Sequence, residues 1–198
     1  SAVELERTFY HSGGEAQYLT ASGIIGGADG RLVTGWLDGI LVVSDISDGS
    51  LIRRIDTSEL GEPTELIIAL AISPDGQQIV SSSYSSTIRA WHMSDGSQDV
   101  DFISDDADSS MVSSLVFSPD GQYVFATYYG SIARMFRADD GSLVRTIPTG
   151  GDVANGESVG VLAVDPIEDT YIYTEEQTNE IRIHRIPDGA LVRRVNDA

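Results

Sequence analysis

Apolar residues in this chain come in short runs, each cut off by a polar turn, and no stretch has the three-to-four spacing of an amphipathic helix of useful length. Leu70-Ala71-Ile72 runs into Ser73-Pro74-Asp75-Gly76. In that quartet Pro pre-sets one backbone angle and Gly accepts a positive one, so the spacing predicts a strand followed by a tight hairpin. Two further β-rich runs follow, Gln78–Ser83 and Thr87–His92. A second turn at Asp95-Gly96 then leads into a fourth extended run. The local expectation is four antiparallel strands.

The unit repeats. Moving forward 45 positions carries Gly76 onto Gly121, Gly96 onto Gly141, Ser73-Pro74-Asp75-Gly76 onto Ser118-Pro119-Asp120-Gly121, and Trp91 onto Phe136. The second-turn glycines Gly49, Gly96, Gly141 and Gly189 lie 47, 45 and 48 positions apart. That period suits a four-stranded unit and exceeds the roughly 33–34 residues of helical repeats. Four units are expected within a single domain, residues 1–198: about 15–55, 64–103, 111–148 and 157–195. The connections Asp56–Pro63, Ser104–Ser110 and Thr149–Gly156 read as loops, too short for a second fold. Val3–Tyr10, within residues 1–14, is expected to be an unaccompanied outer strand of an adjoining unit. Its Leu5, Arg7, Thr8 and Phe9 match Leu143, Arg145, Thr146 and Ile147.

Ser73-Pro74-Asp75-Gly76 and Thr87-Ile88-Arg89-Ala90-Trp91 resemble the blade pattern of WD-repeat β-propellers. The resemblance spans nearly the whole chain and implies an all-β fold: a β-propeller built from four four-stranded antiparallel blades plus an extra N-terminal outer strand. The chain also departs from the family pattern. His92 follows Trp91 where the family has Asp, Ser85 replaces the blade aspartate, and no Gly-His pair precedes a repeat. The first repeat keeps Asp38 and Asp45 but has Ser44 at the Trp position, and the fourth has His184 there. Apolar packing between blades is therefore expected to supply most of the cohesion.

The chain has 12 basic and 31 acidic residues, a net charge of −19, and every basic residue is Arg. These numbers argue against a nucleic-acid partner, because phosphate neutralisation needs clustered cations. Two settings fit the Lys-free acidity: an extracellular or salty milieu, where screening acts within roughly 8 Å or less, or an ordinary compartment. Without Cys there is no disulfide framework and no thiolate metal site. No apolar run approaches the roughly 20 residues of a membrane span.

The resemblance implies that blade-to-blade loops and the hairpins joining second to third strands share one face. On this chain they hold Asp38, Asp56, Glu59, Glu62, Asp105, Asp106, Asp108, Asp152, Glu157, Glu175 and Glu176, together with Glu180. This markedly acidic face is the candidate docking surface for a protein partner of basic character, set against a merely solvated surface. Asp105, Asp106 and Asp108 form a weak calcium candidate. Ca²⁺ takes oxygen ligands, but the alternate acids, central Gly and closing Glu of an EF-hand loop are missing. No other metal and no cofactor is expected.

Asp29, Asp48, Asp75, Asp95, Asp120, Asp140 and Asp188 precede Gly and read as turn residues. Trp36, Tyr84, Tyr128 and Tyr129 fall near corresponding hairpins, where strand packing is expected over stacking on a ligand. The recurrent arginines of the fourth strands, Arg7, Arg53, Arg54, Arg145, Arg193 and Arg194, are expected to pair with acids on neighbouring strands. No catalytic constellation emerges from the motifs.

The leading expectation is a non-enzymatic interaction scaffold within a larger ring or assembly, either as a homo-oligomer or with the remainder of a longer propeller. The alternatives are a structural subunit of an extracellular fibre or surface layer, and a propeller enzyme or sensor acting on a small molecule in the central channel.

Overall fold

The computed structural model describes residues 19–25, 30–57, 66–84, 87–102, 111–129, 132–148, 163–165, 170–175, 180–186 and 188–195. Val3–Tyr10 lies outside them. Among the described residues, sixteen strands form four antiparallel sheets, each paired in chain order. Blade 1 comprises β1 (Leu19–Ile25), β2 (Arg31–Trp36), β3 (Ile40–Asp45) and β4 (Leu51–Asp56). Blade 2 comprises β5 (Ile67–Ile72), β6 (Gln78–Ser83), β7 (Ile88–His92) and β8 (Gln98–Phe102). Blade 3 has β9 (Val112–Phe117), β10 (Tyr123–Tyr128), β11 (Ile132–Arg137) and β12 (Leu143–Pro148), and blade 4 has β13 (Ala163–Asp165), β14 (Thr170–Glu175), β15 (Glu180–Arg185) and β16 (Leu191–Val195). The expected all-β propeller architecture is present. β5 packs on β1, β9 on β5 and β13 on β9, so the first strand of each blade lies innermost.

The repeated quartet builds the same hairpin twice. Ser73 Oγ donates to Asp75 Oδ1 at 2.6 Å and accepts from the Gln78 amide at 2.9 Å. Ser118 Oγ does the same with Asp120 and the Tyr123 amide at the same distances. Further along each blade, the second-turn glycines adopt φ of 65 to 77°, a region that side chains other than Gly enter only with strain. Their amides close the turn on a carbonyl four residues back, as Gly96 does on His92 at 2.8 Å. A register shift between third and fourth strands falls beside this turn in every blade.

The cores lie between blades. Val33, Leu41, Val43 and Ile55 of blade 1 meet Ile67, Leu70, Ile79, Trp91 and Met93 of blade 2. Val80, Ile88, Ala90 and Phe102 of blade 2 meet Phe117, Val124, Ala126 and Phe136 of blade 3. Phe125, Ala133, Met135 and Ile147 of blade 3 meet Tyr171 and Ile186 of blade 4. Middle strands are therefore buried on both faces; all six residues of β10 are buried. In β4 and β8, by contrast, one strand residue is buried, Ile55 and Phe102 respectively. Full burial of each such side chain contributes about 1.5–3 kcal/mol. At the Trp position of blade 4, His184 stacks on Tyr171 with centroids 5.4 Å apart and rings 10° from parallel.

Two of the fourth-strand arginines, Arg53 and Arg145, reach backbone carbonyls and not the neighbouring acids that were expected. Arg53 donates instead to the backbone carbonyls of Ser94 at 2.7 Å and Asp95 at 3.0 Å, in the second turn of the next blade. Arg145 likewise donates to the Asp188 carbonyl at 2.6 Å. The physical reason lies in the turns. The Asp95 carboxylate already accepts from the Ser97 amide at 2.9 Å and hydroxyl at 2.6 Å, and Asp188 from the Ala190 amide at 3.0 Å. The turn carbonyls are left pointing outward as acceptors, and a guanidinium makes two such bonds at once.

Candidate interaction surface

Hydrogen bonds at the blade ends show which loops share a face. In blade 1 the Thr57 hydroxyl donates to the Gly39 carbonyl at 2.7 Å, tying the start of the connection after β4 to the hairpin between β2 and β3. In blades 2 and 3 the amides of Tyr84 and Tyr129, in the corresponding hairpins, donate to the carbonyls of Leu66 and Met111, just ahead of β5 and β9. The blade-to-blade connections and these hairpins therefore lie at one end of the sheets, and the Pro-Asp-Gly and second turns at the other.

Of the acidic residues expected on this face, Asp38 sits in the β2–β3 hairpin, its carboxylate accepting from the Ile40 amide at 3.3 Å. Asp56 is exposed at the end of β4 and registers with Ile40, so both acids belong to one rim of blade 1. Glu175 ends β14 opposite Glu180 at the start of β15, the corresponding hairpin of blade 4. Glu59, Glu62, Asp105, Asp106, Asp108, Asp152, Glu157 and Glu176 lie outside the described residues, and the calcium candidate with them.

Two aromatic residues on the same face depart from the strand-packing expectation. Tyr84 is 60% exposed and Tyr129 is 47% exposed. Each stands twelve positions before the second-turn glycine of its blade, in neighbouring blades 2 and 3. That shared repeat position was a signal in the sequence; the direction of the side chains was not. Tyr128 and Trp36 behave as expected: Tyr128 is buried, and the half-buried Trp36 donates its indole N–H to Thr34 Oγ1 at 2.9 Å. The buried Arg134 lays its guanidinium 4.6 Å from the Tyr128 ring centroid. Burial pushes the Tyr128 hydroxyl above its ordinary pKa, partly offset by Arg134. This clamp fixes the strand end from which Tyr129 projects.

The opposite end carries a groove of about 590 Å³ between blades 2 and 3, lined by Asp75, Gln78, His92, Asp99 and Asp120 among others. Its polar groups serve the fold. Asp75 and Asp120 close their own turns, and Asp99 accepts from Gln78 Nε2 at 2.9 Å with His92 Nε2 3.5 Å away. Among the described residues no group of three or more His, Cys, Asp or Glu is arranged to hold a metal.

The WD domain, G-beta repeat model matches residues 57–92 and 101–137. Residues 57–92 and 101–137 are thus similar to WD40 repeats. The first match begins just after β4 and ends with β7, and the second begins within β8 and ends with β11. No curated protein matches the chain. WD repeats generally build interaction scaffolds, and the two matches fall on blades 2 and 3.

Proposed function

We propose that the protein is a non-enzymatic scaffold whose hairpin face docks a basic segment of a partner protein. The observation that carries the reading is the pair Tyr84 and Tyr129, exposed at equivalent positions of adjacent blades on the face that also carries Asp38 and Asp56. Tyrosines of this kind supply rigid contact area and stack on cationic side chains, and they recur among the residues that dominate interface energies. An acidic rim raises the encounter rate of a basic ligand and makes binding salt-dependent.

The test is titration of fluorescent Arg/Lys-rich, acidic and neutral peptide pools against the chain. Selective binding of the basic pool, weakened at least about tenfold by Tyr84→Ala with Tyr129→Ala, supports the reading. Equal binding by the double variant, or no preference between pools, defeats it.

A further inference from the structure

The packing of the blades sets the spacing of the exposed tyrosines on the hairpin face. Tyr84 and Tyr129 hold one repeat position, and their amides donate to the carbonyls of Leu66 and Met111 at 3.1 and 2.9 Å, so the two backbones are fixed alike. The sheets that carry them pack against each other through Phe102, Phe117, Val124 and Phe136. Sheets packed face to face stand about 10 Å apart, and the two exposed rings form ridges with that period. In blade 1 the half-buried Leu37 holds the same position, and the aromatic row gives way there to Asp38 and the exposed Asp56. Blade 1 packs on blade 2 through a core of the same kind, so these acids lie one further step along the row.

A ligand segment laid across this row has to return a side chain to the protein once per blade. In a β-strand the residue three positions on is about 10 Å away but points to the opposite face. An α-helix returns every 5.4 Å or so, which sets alternate turns over the gap between the ridges. Polyproline II has three residues per turn and a rise of about 3.1 Å, so every third residue falls on one side, about 9 Å from the last. That conformation is formed before binding, and it is the one that aromatic-lined grooves recognise.

We propose that the hairpin face binds a polyproline II segment of a partner protein, with prolines at positions i and i+3 seated against Tyr84 and Tyr129. An arginine or lysine one turn beyond the proline on Tyr84 faces Asp38 and Asp56. The inference rests on the hairpin-face reading above and gives its basic segment a conformation and a register. Both chain directions satisfy the face, because the three-residue period is the same read either way. The tyrosine rings supply rigid contact area, and the charge pair supplies orientation and salt dependence.

Fluorescence anisotropy with labelled peptides of equal charge tests it. The set is Arg-x-x-Pro-x-x-Pro, its reverse, an isomer with the second proline moved by two positions, and an alanine-based helical peptide. One of the first two should bind at least about tenfold tighter than the shifted isomer and the helix. Tyr84→Ala and Tyr129→Ala should each remove that preference with unchanged far-UV circular dichroism, whereas Tyr84→Phe with Tyr129→Phe keeps it. Asp38→Asn with Asp56→Asn should weaken the arginine peptide severalfold and leave a peptide with Gln in place of Arg unchanged. Equal binding of the shifted isomer or the helix overturns the inference and leaves the basic-segment reading standing. An arginine peptide indifferent to the two Asp→Asn changes also overturns it. No binding by any basic peptide overturns both.

Discussion

The indole N–H of Trp91 donates to Ser81 Oγ at 2.9 Å, joining two fully packed side chains on β7 and β6 where blade 2 meets blade 1. With His92 in place of the usual aspartate after Trp91, this bond satisfies a buried donor within the blade itself.

Ser81→Ala strands that donor and is expected to cost about 1–3 kcal/mol. Trp91→Phe with Ser81→Ala removes both partners, so the double variant should lose less than the sum of the singles. Urea unfolding of the four proteins measures the coupling, and strictly additive losses would show that the bond contributes nothing.

Gly141 and Gly121 have nearly the same positive φ, 69° and 73°, but different surroundings. A Cβ on Gly121 would find only Pro74 Cδ at 3.6 Å, an ordinary contact, whereas one on Gly141 would run into the Asp101 carbonyl and approach Val100 Cγ1 to 2.7 Å. Gly121→Ala should therefore cost roughly the 1–2 kcal/mol of left-handed backbone, and Gly141→Ala clearly more, because the blade 2–blade 3 joint must open. Equal melting temperatures for the two variants would contradict this.

Asp75 is held below its ordinary 3.8, first by the Ser73 hydroxyl and then by the Gln77 amide. Its carboxylate thus contributes stability that is present above pH 3.8 and is lost as pH falls through the lower folded value. Asp75→Asn should melt below the wild type at neutral pH, and the two curves should converge when acid protonates the native carboxylate. A gap that persists unchanged into strong acid would assign the loss to turn geometry instead of charge.

Thermal stability should rise from millimolar to molar NaCl, since screening relieves the self-repulsion of 31 acids facing 12 arginines. Calcium at matched ionic strength should add little. A large Ca²⁺-specific rise that disappears in Asp106→Asn would establish a site in the Asp105–Asp108 loop.

The sequence by itself determined the blade and its repetition. Ser-Pro-Asp-Gly and Asp-Gly have few backbone solutions, so strand order, both turn types and the period of 47, 45 and 48 residues were legible from local chemistry. Tertiary structure alone decided where side chains of one repeat position end up. Tyr128 and Tyr129 are neighbours in the chain, yet one lies under Arg134 and the other faces solvent. Arg53 carries no mark of its acceptor, because that acceptor is a pair of backbone carbonyls, which every residue possesses and no sequence displays. Val195 matches Ile55, Phe102 and Ile147 in spacing and apolarity, yet it is 43% exposed where they are buried. Burial belongs to the pair of surfaces in contact, and that pairing is settled between blades.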